Sequence, residues 1–242
     1  MFSATQSVFQ APHLRIGLLG NRPHFSRDTR HAREAALLMG ARHNSICIIN
    51  VPSDKNGAGH KTIQNASFDA SIASDGALLL QCGSAAALQT ADCPTLILCD
   101  TITNNVAIAH AGRPALSPPI ECATCSFSVV DAAFNRLMPD KNRAGDVKAF
   151  IVGSICGHCF VHENPDSEEF VRPFDHFGEQ VFTDRSRGAL DLVAVIKLQL
   201  KYHGVLEENI MHDHLCTMEN NWLASRRGGR YEKRNTIVVV RR

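Results

Sequence analysis

Apolar residues fall in short, strand-length runs along most of this chain, interrupted by polar turns. Runs rich in β-branched and aliphatic residues at 14–18, 46–51, 77–81, 85–89, 95–99, 106–109, 150–152 and 236–240 predict about eight strands. Helical periodicity replaces this pattern in three places. Within 126–138, Phe127, Val130, Phe134, Leu137 and Met138 recur at helical spacing, with Ser126 as a cap and Pro139 as a stop. Within 191–203, Leu192, Val195, Ile196, Gln199 and Leu200 form one stripe, Asp191 favours the first turn and Gly204 suits a left-handed cap. A third helix, 28–39, ends at Gly40. The stretches 51–75, rich in Ser, Asn, Asp and Gly, and 163–188, where charges and Pro gather, read as long loops rather than domain boundaries. Several neighbouring strands are joined by turns too short for a crossover helix. The pattern therefore predicts an α+β fold: a mixed sheet of about eight strands with flanking helices, in a single domain over residues 1–242.

Composition narrows the class. An apolar share of 44% argues against disorder, and 25 basic against 24 acidic side chains leave no global field for nucleic acid. No apolar run reaches the ~18 residues of a membrane span. The first residues carry neither a basic nor an apolar leader pattern, so no membrane association is expected and the chain is read as cytoplasmic. Nine cysteines, an odd number in a chain of this length, read as reduced thiols rather than a disulfide framework.

The most informative stretch is TADCPTLILCDTITNNVAIAHAG, residues 90–112, which reads as a hairpin of strands 95–99 and 106–109. Cys93 precedes the first strand and His110 follows the second. Pairing Cys99 with residue 104 to 106 sets Cys93 opposite residue 110 to 112, where facing side chains have Cβ atoms ~5 Å apart. A sulfur and an imidazole nitrogen so placed suit either a shared zinc or a thiolate–imidazolium pair. The plainer alternative is a small core cysteine and a strand-end histidine.

In these residues the chain resembles the laccase-domain, or polyphenol-oxidase-like, family, whose bacterial members are described as purine nucleoside phosphorylases and as peptidoglycan editing factors. The family's TADC and HAGW segments are represented by Thr90 to Cys93 and by His110, Ala111 and Gly112. GSICGHCF at 153–160 is similar to its Gly-rich segment, residues 190–204 to its helix, and CTMENNWLASRRGG from Cys216 to its closing segment. The resemblance implies a zinc held by one Cys and two His, with Cys93 and His110 as ligands and an open position for water or substrate. It also implies phosphorolysis of a purine nucleoside such as adenosine or inosine, and deamination of adenosine by a metal-acidified water. Asp92 is then a candidate to orient His110 or relay a proton, and Arg226 and Arg227 are candidates for phosphate.

Two departures stand out. The family's first histidine follows the strand corresponding to 46–51, but this chain has Pro52 there. Either His60, in GAGHKT, completes the ligand set or the third ligand is missing. Arg113 and Pro114 stand where the family has Trp and Arg, which alters the substrate wall and displaces its arginine by one position.

Other motifs point elsewhere. CGHC at 156–159 has the spacing of thiol oxidoreductases, although a polar loop follows instead of a helix; with Cys122 and Cys125 it forms a widely spaced double CxxC. His212 and His214 form one HxH, whereas a copper cluster of the laccase type takes several imidazole pairs, so copper is the less favoured metal. The basic cluster Arg226, Arg227, Arg230, Lys233, Arg234, Arg241 and Arg242 has few interleaved aromatics for nucleic acid. The first reading is thus a zinc-dependent purine nucleoside enzyme. Its rivals are a metal-free cysteine hydrolase or amidase using Cys93 and His110, a copper-dependent polyphenol oxidase, and a non-catalytic relative that binds a partner.

Overall fold

The structure, a computed structural model, describes residues 5–24, 28–52, 61–68, 71–117, 128–163 and 168–242. In chain order its elements are β1 (Thr5–Ala11), β2 (Leu14–Arg22), α1 (Arg30–Leu38), β3 (Ile46–Asn50), β4 (Ile63–Asn65), β5 (Ser71–Ala73), β6 (Gly76–Leu79) and β7 (Ala85–Thr90). There follow β8 (Thr95–Asp100), β9 (Val106–His110), α2 (Arg113–Leu116), α3 (Val129–Leu137), β10 (Val147–Val152) and α4 (Glu168–Val171). The chain closes with β11 (Phe182–Asp184), β12 (Ala189–Leu190), α5 (Leu192–Tyr202), β13 (Ile210–His212) and β14 (Arg234–Arg241).

The α+β class and all eight expected strands are present, but they divide between two sheets instead of forming one. One sheet has the order β1-β2-β14-β7-β3-β5 and the other β13-β10-β8-β9-β6-β4, with β11 and β12 pairing separately. Alternation along each strand explains the division. Leu88, Ile237, Val239, Ile16 and Ile49 of the first sheet pack with Ile97, Cys99, Val106, Ile108 and Phe150 of the second. The intervening residues face outward. Ala85, Ala87, Val238 and Val240 meet Ala32, Ala35 and Ala36 of α1, while Leu96, Leu98, Ala107 and Ala109 meet Phe134 and Leu137 of α3 and Ile196 and Leu200 of α5. Four layers result, helix on sheet on sheet on helix. Strands β7 and β8 read as continuous apolar runs because both their faces are covered. Such a run does not reveal which sheet it joins, and the link 91–94 between them carries the chain from one sheet to the other.

The missed elements are short or peripheral. Strands β4 and β5 lie within the stretch read as a 51–75 loop, and α4, β11 and 3-10 turns lie within 163–188. Helix α3 is capped by Ser128, while Ser126 and Phe127 lie outside the described residues. Asp191 caps α5 by accepting the Val193 and Ala194 amides, and Gly204 takes the left-handed conformation expected of it, with φ 86°.

One polar network in the helical layer leads toward the site. Ser128 Oγ accepts the Val130 and Asp131 amides and donates to Gln199 Oε1 at 2.9 Å, and Gln199 Nε2 donates to the Leu116 carbonyl at 3.0 Å. It ties α3 and α5 to α2, which follows directly on Gly112. Ser128→Ala removes both the cap and the bond to Gln199, so urea unfolding is expected to show a loss of ~1–2 kcal/mol with an unchanged m-value.

Candidate active site at the sheet crossing

Strands β8 and β9 pair antiparallel with Thr95 opposite His110 and Cys99 opposite Val106, so the hairpin has the expected register. The Ala111 amide donates to the Pro94 carbonyl at 2.9 Å, which extends the ladder and sets Cys93 across from Gly112. Gly112 is decisive here. A Cβ built on it would lie 2.8 Å from His110 Cε1, 3.2 Å from His110 Nε2 and 3.1 Å from Cys93 Sγ. Sulfur and imidazole thus converge on one point that any side chain at 112 would fill. Both residues are partly accessible.

Burial pushes the Cys93 thiol up to about 11, reinforced by the Asp92 carboxylate and opposed by Arg226, Arg113 and the Arg113 amide. Burial alone lowers His110 to about 4. At neutral pH both groups are therefore uncharged without a cation, the reverse of what a thiolate–imidazolium nucleophile needs. Soft sulfur and neutral imidazole around a small open cradle do fit a zinc ion.

Asp92 turns its carboxylate to partners other than His110. It is 5% exposed and has φ 80°, a left-handed conformation that is uncommon for a non-glycine residue. Its carboxylate accepts from Thr217 Oγ1 at 2.7 Å and from the Arg227 amide at 2.9 Å, and its carbonyl accepts from the Ile155 amide at 2.9 Å. Neither carboxylate oxygen has a hydrogen bond to His110 among these contacts. Asp92 instead staples three segments to the crossing: the hairpin, the 153–160 loop and the closing loop.

Arginines line the front. Arg113, first residue of α2, lays its guanidinium 4.1 Å from the centre of the Phe170 ring, and Arg227 lies 5.0 Å from that of Phe160. Burial and the Arg227 charge both lower Arg113. Arg226 is exposed and close enough for its charge to act on Cys93. Arg227 also donates to the Val161 carbonyl at 2.8 Å. Helix α4, which carries the exposed Phe170, is held by Arg185, which pairs with Glu168 and Asp175, each at 2.7 Å. Arg230, by contrast, spends its guanidinium on the carbonyls of Leu223, Thr217 and Met218 and shapes the closing loop. Phe170 and Thr217 were not singled out by sequence, because their roles depend on partners far away in the chain, and Arg230 was read only as part of the basic cluster.

Strand β3 runs parallel to β7, so Pro52 emerges at the same end of the sandwich as Cys93. His60 lies outside the described residues, but its neighbours are anchored close by. Lys61 Nζ donates to the Ser117 carbonyl at 2.6 Å, and the Thr62 amide donates to Asp75 Oδ2 at 3.1 Å. The Asp75 carbonyl in turn accepts the His110 amide at 2.7 Å.

The seven described cysteines, Cys47, Cys82, Cys93, Cys99, Cys156, Cys159 and Cys216, are all free thiols, and Cys122 and Cys125 lie outside the described residues. Cys156 and Cys159 are joined by Cys216 and Glu219, all four donor atoms lying within 4.8 Å of one another, a group able to hold a metal. His212 and His214 have ring centres 4.6 Å apart on the edge near β13, and burial lowers His212 to about 4. Among the described residues no helix is long and apolar enough to cross a membrane.

A four-layer α+β sandwich with a thiol–imidazole pair at its sheet crossing defines the class. The chain belongs to the multi-copper polyphenol oxidoreductase laccase family, whose sequence model matches residues 19–238. Purine nucleoside phosphorylase ORF3 of Streptomyces griseus is 28% identical over 153 residues, 63% of this chain. The match spans only 57% of that relative's length. The fold is shared with hypothetical protein YfiH of Bacillus licheniformis, at a TM-score of 0.71 and 16% identity over 95% of this chain and 93% of the other. It is shared equally with YlmD of Geobacillus stearothermophilus, at 0.70 and 18% over 98% and 100%.

Two measurements probe this geometry. Gly112→Ala fills the cradle, and metal affinity measured there by chelator competition is expected to fall ~10–100-fold, with an unaltered circular dichroism spectrum. In the metal-free protein, alkylation of Cys93 followed by peptide mapping should be slow at pH 7 and accelerate about tenfold per pH unit toward pH 11. A plateau already at neutral pH would instead reveal an activated nucleophile.

Proposed function

We propose that the protein is a zinc-dependent purine nucleoside enzyme that cleaves adenosine or inosine with inorganic phosphate. The observation that carries this reading is the convergence of Cys93 and His110 on the Gly112 cradle beside Arg113, Arg226 and Arg227. The phosphorylase named in Streptomyces griseus supports it. Cys93 and His110 hold the ion, and His60 is the third ligand; what supports His60 is the anchoring of Lys61 and Thr62 beside the strand that bears His110. When bound, zinc supplies a Lewis acid and acidifies water.

The protein's own groups account for the rest. Phosphate is captured by Arg226 and Arg227, whose planar guanidinium forks match its oxygens, with the Arg113 charge beside them. Phe170 and Phe160, each already faced by an arginine, offer flat apolar surfaces for a purine. A phosphate oxygen forms the bond to the ribose anomeric carbon as the bond to the purine nitrogen breaks and its electron pair leaves with the base. The proton lost by the attacking phosphate balances the one gained by the purine. The developing sugar cation resembles that of glycoside cleavage. Asp92 acts as a positioning residue, since its bond to the Arg227 amide sets where that guanidinium starts.

Incubation with adenosine and with inosine, with and without phosphate, tests the reading through base release and ammonia. Phosphate-dependent release of adenine and hypoxanthine is expected. Arg226→Ala should raise the phosphate KM by about tenfold, the value of a charge-assisted contact. His60→Ala should lower the zinc content. Ammonia without phosphate dependence would make the protein a deaminase, and inertness toward both nucleosides would overturn the reading.

A further inference from the structure

Two segments 57 residues apart each contribute a pair of donors at the same spacing. Cys156 and Cys159 bracket one turn, closed by the Cys159 amide on the Cys156 carbonyl at 3.1 Å. Cys216 and Glu219 bracket another, closed by the Asn220 amide on the Cys216 carbonyl at 3.1 Å. The turns face each other. The Cys156 amide points at Cys216 Sγ at 3.4 Å, Cys156 Sγ lies 3.8 Å from Glu219 Oε1, and Cys159 Sγ lies 3.5 Å from the same oxygen. Bond lengths of ~2.3 Å to sulfur and ~2.0–2.2 Å to a carboxylate oxygen put tetrahedral edges at ~3.8 Å between sulfurs and ~3.5 Å between sulfur and oxygen. The observed separations to Glu219 are close to those edges.

Charge points the same way. Three thiols surround a carboxylate, and among the described residues Glu219 makes no ion pair. Such a cluster gains from a dication that accepts all four donors. The set is also closed, with four protein ligands and no position left for substrate, unlike the Cys93 cradle. A CxxC redox pair would need neither Cys216 nor a carboxylate against its sulfurs. Gly157 lets the loop sit here, since a Cβ on it would lie 2.7 Å from Thr183 Cγ2 and 3.0 Å from Asp191 Cβ.

We propose that Cys156, Cys159, Cys216 and Glu219 form a second, structural zinc site that clamps the 153–160 loop to the closing loop behind the active site. Both loops meet Asp92, through the Ile155 amide and through Thr217, and the Thr217 amide also donates to the Ser154 carbonyl at 3.0 Å. The zinc thus fixes the base from which Arg226 and Arg227 project. The ligands of this site are separate from Cys93 and His110.

The test uses the full chain carrying Cys93→Ser and His110→Ala, which removes the other metal centre. This chain is expected to retain one zinc and, loaded with cobalt(II), to show thiolate-to-metal charge-transfer absorption with tetrahedral d–d bands. Adding Cys159→Ser should cut the charge-transfer intensity by about a third, as one of three sulfurs is lost, and weaken binding more than tenfold. Adding Glu219→Gln should keep the charge-transfer intensity while weakening binding. In the unmutated chain, Cys156, Cys159 and Cys216 should resist alkylation until a chelator is added, a readout that requires no variant to fold. The proposal is overturned if the Cys93→Ser, His110→Ala chain folds but takes up no zinc or cobalt, or if Cys159→Ser leaves affinity unchanged. It is equally overturned if Cys156 and Cys159 form a disulfide in the presence of zinc.

Discussion

The buried Asp92 carboxylate is the contact on which the site depends. The link between β7 and β8 has four residues in which to leave one sheet and enter the other, and Asp92 makes that crossing in a left-handed conformation. A strained backbone of this kind persists only where its surroundings over-determine it. Here three hydrogen bonds do so, from Thr217, the Arg227 amide and the Ile155 amide. Each comes from a segment distant in sequence. The crossing, the Gly-rich loop and the closing loop are consequently positioned by one side chain and one carbonyl, and Cys93 is the next residue.

Around this staple, apolar burial and charge are balanced in opposite senses on the two sides of Cys93. Burial keeps the thiol and the His110 imidazole neutral, while Arg113 and Arg226 pull the thiol toward ionisation. Neutral sulfur and nitrogen donors and cationic guanidinium groups are thereby adjacent. Both Asp92 oxygens are engaged, one by Thr217 Oγ1 and the other by the Arg227 amide. The cluster of Cys156, Cys159, Cys216 and Glu219 then reads as a support for this arrangement instead of a competitor with it.

Much of the fold is legible in the amino-acid sequence. The eight principal strands, the α5 helix with its Asp191 cap and Gly204 stop, and the Cys93–His110 hairpin all follow from local pattern, because apolar alternation and turn chemistry act over a few residues. The motif order identified the family, and the sequence match over residues 19–238 agrees. The role of Asp92 was less accessible: its hydrogen-bond partners are 63 to 135 residues away, beyond any spacing rule. Arg230 looked like part of a basic surface, yet it serves three carbonyls of its own loop.

The sequence by itself determined the eight principal strands, the three main helices, and that a sulfur and an imidazole end the same hairpin, since each of these is set by neighbours within one turn or one strand pair. Only the tertiary structure decided that the strands form two sheets, because a strand apolar on both faces is equally at home in either. Tertiary structure likewise decided that CGHC is joined by Cys216 and Glu219, as donors drawn from two distant turns meet only once both sheets have packed and brought their loops to one end.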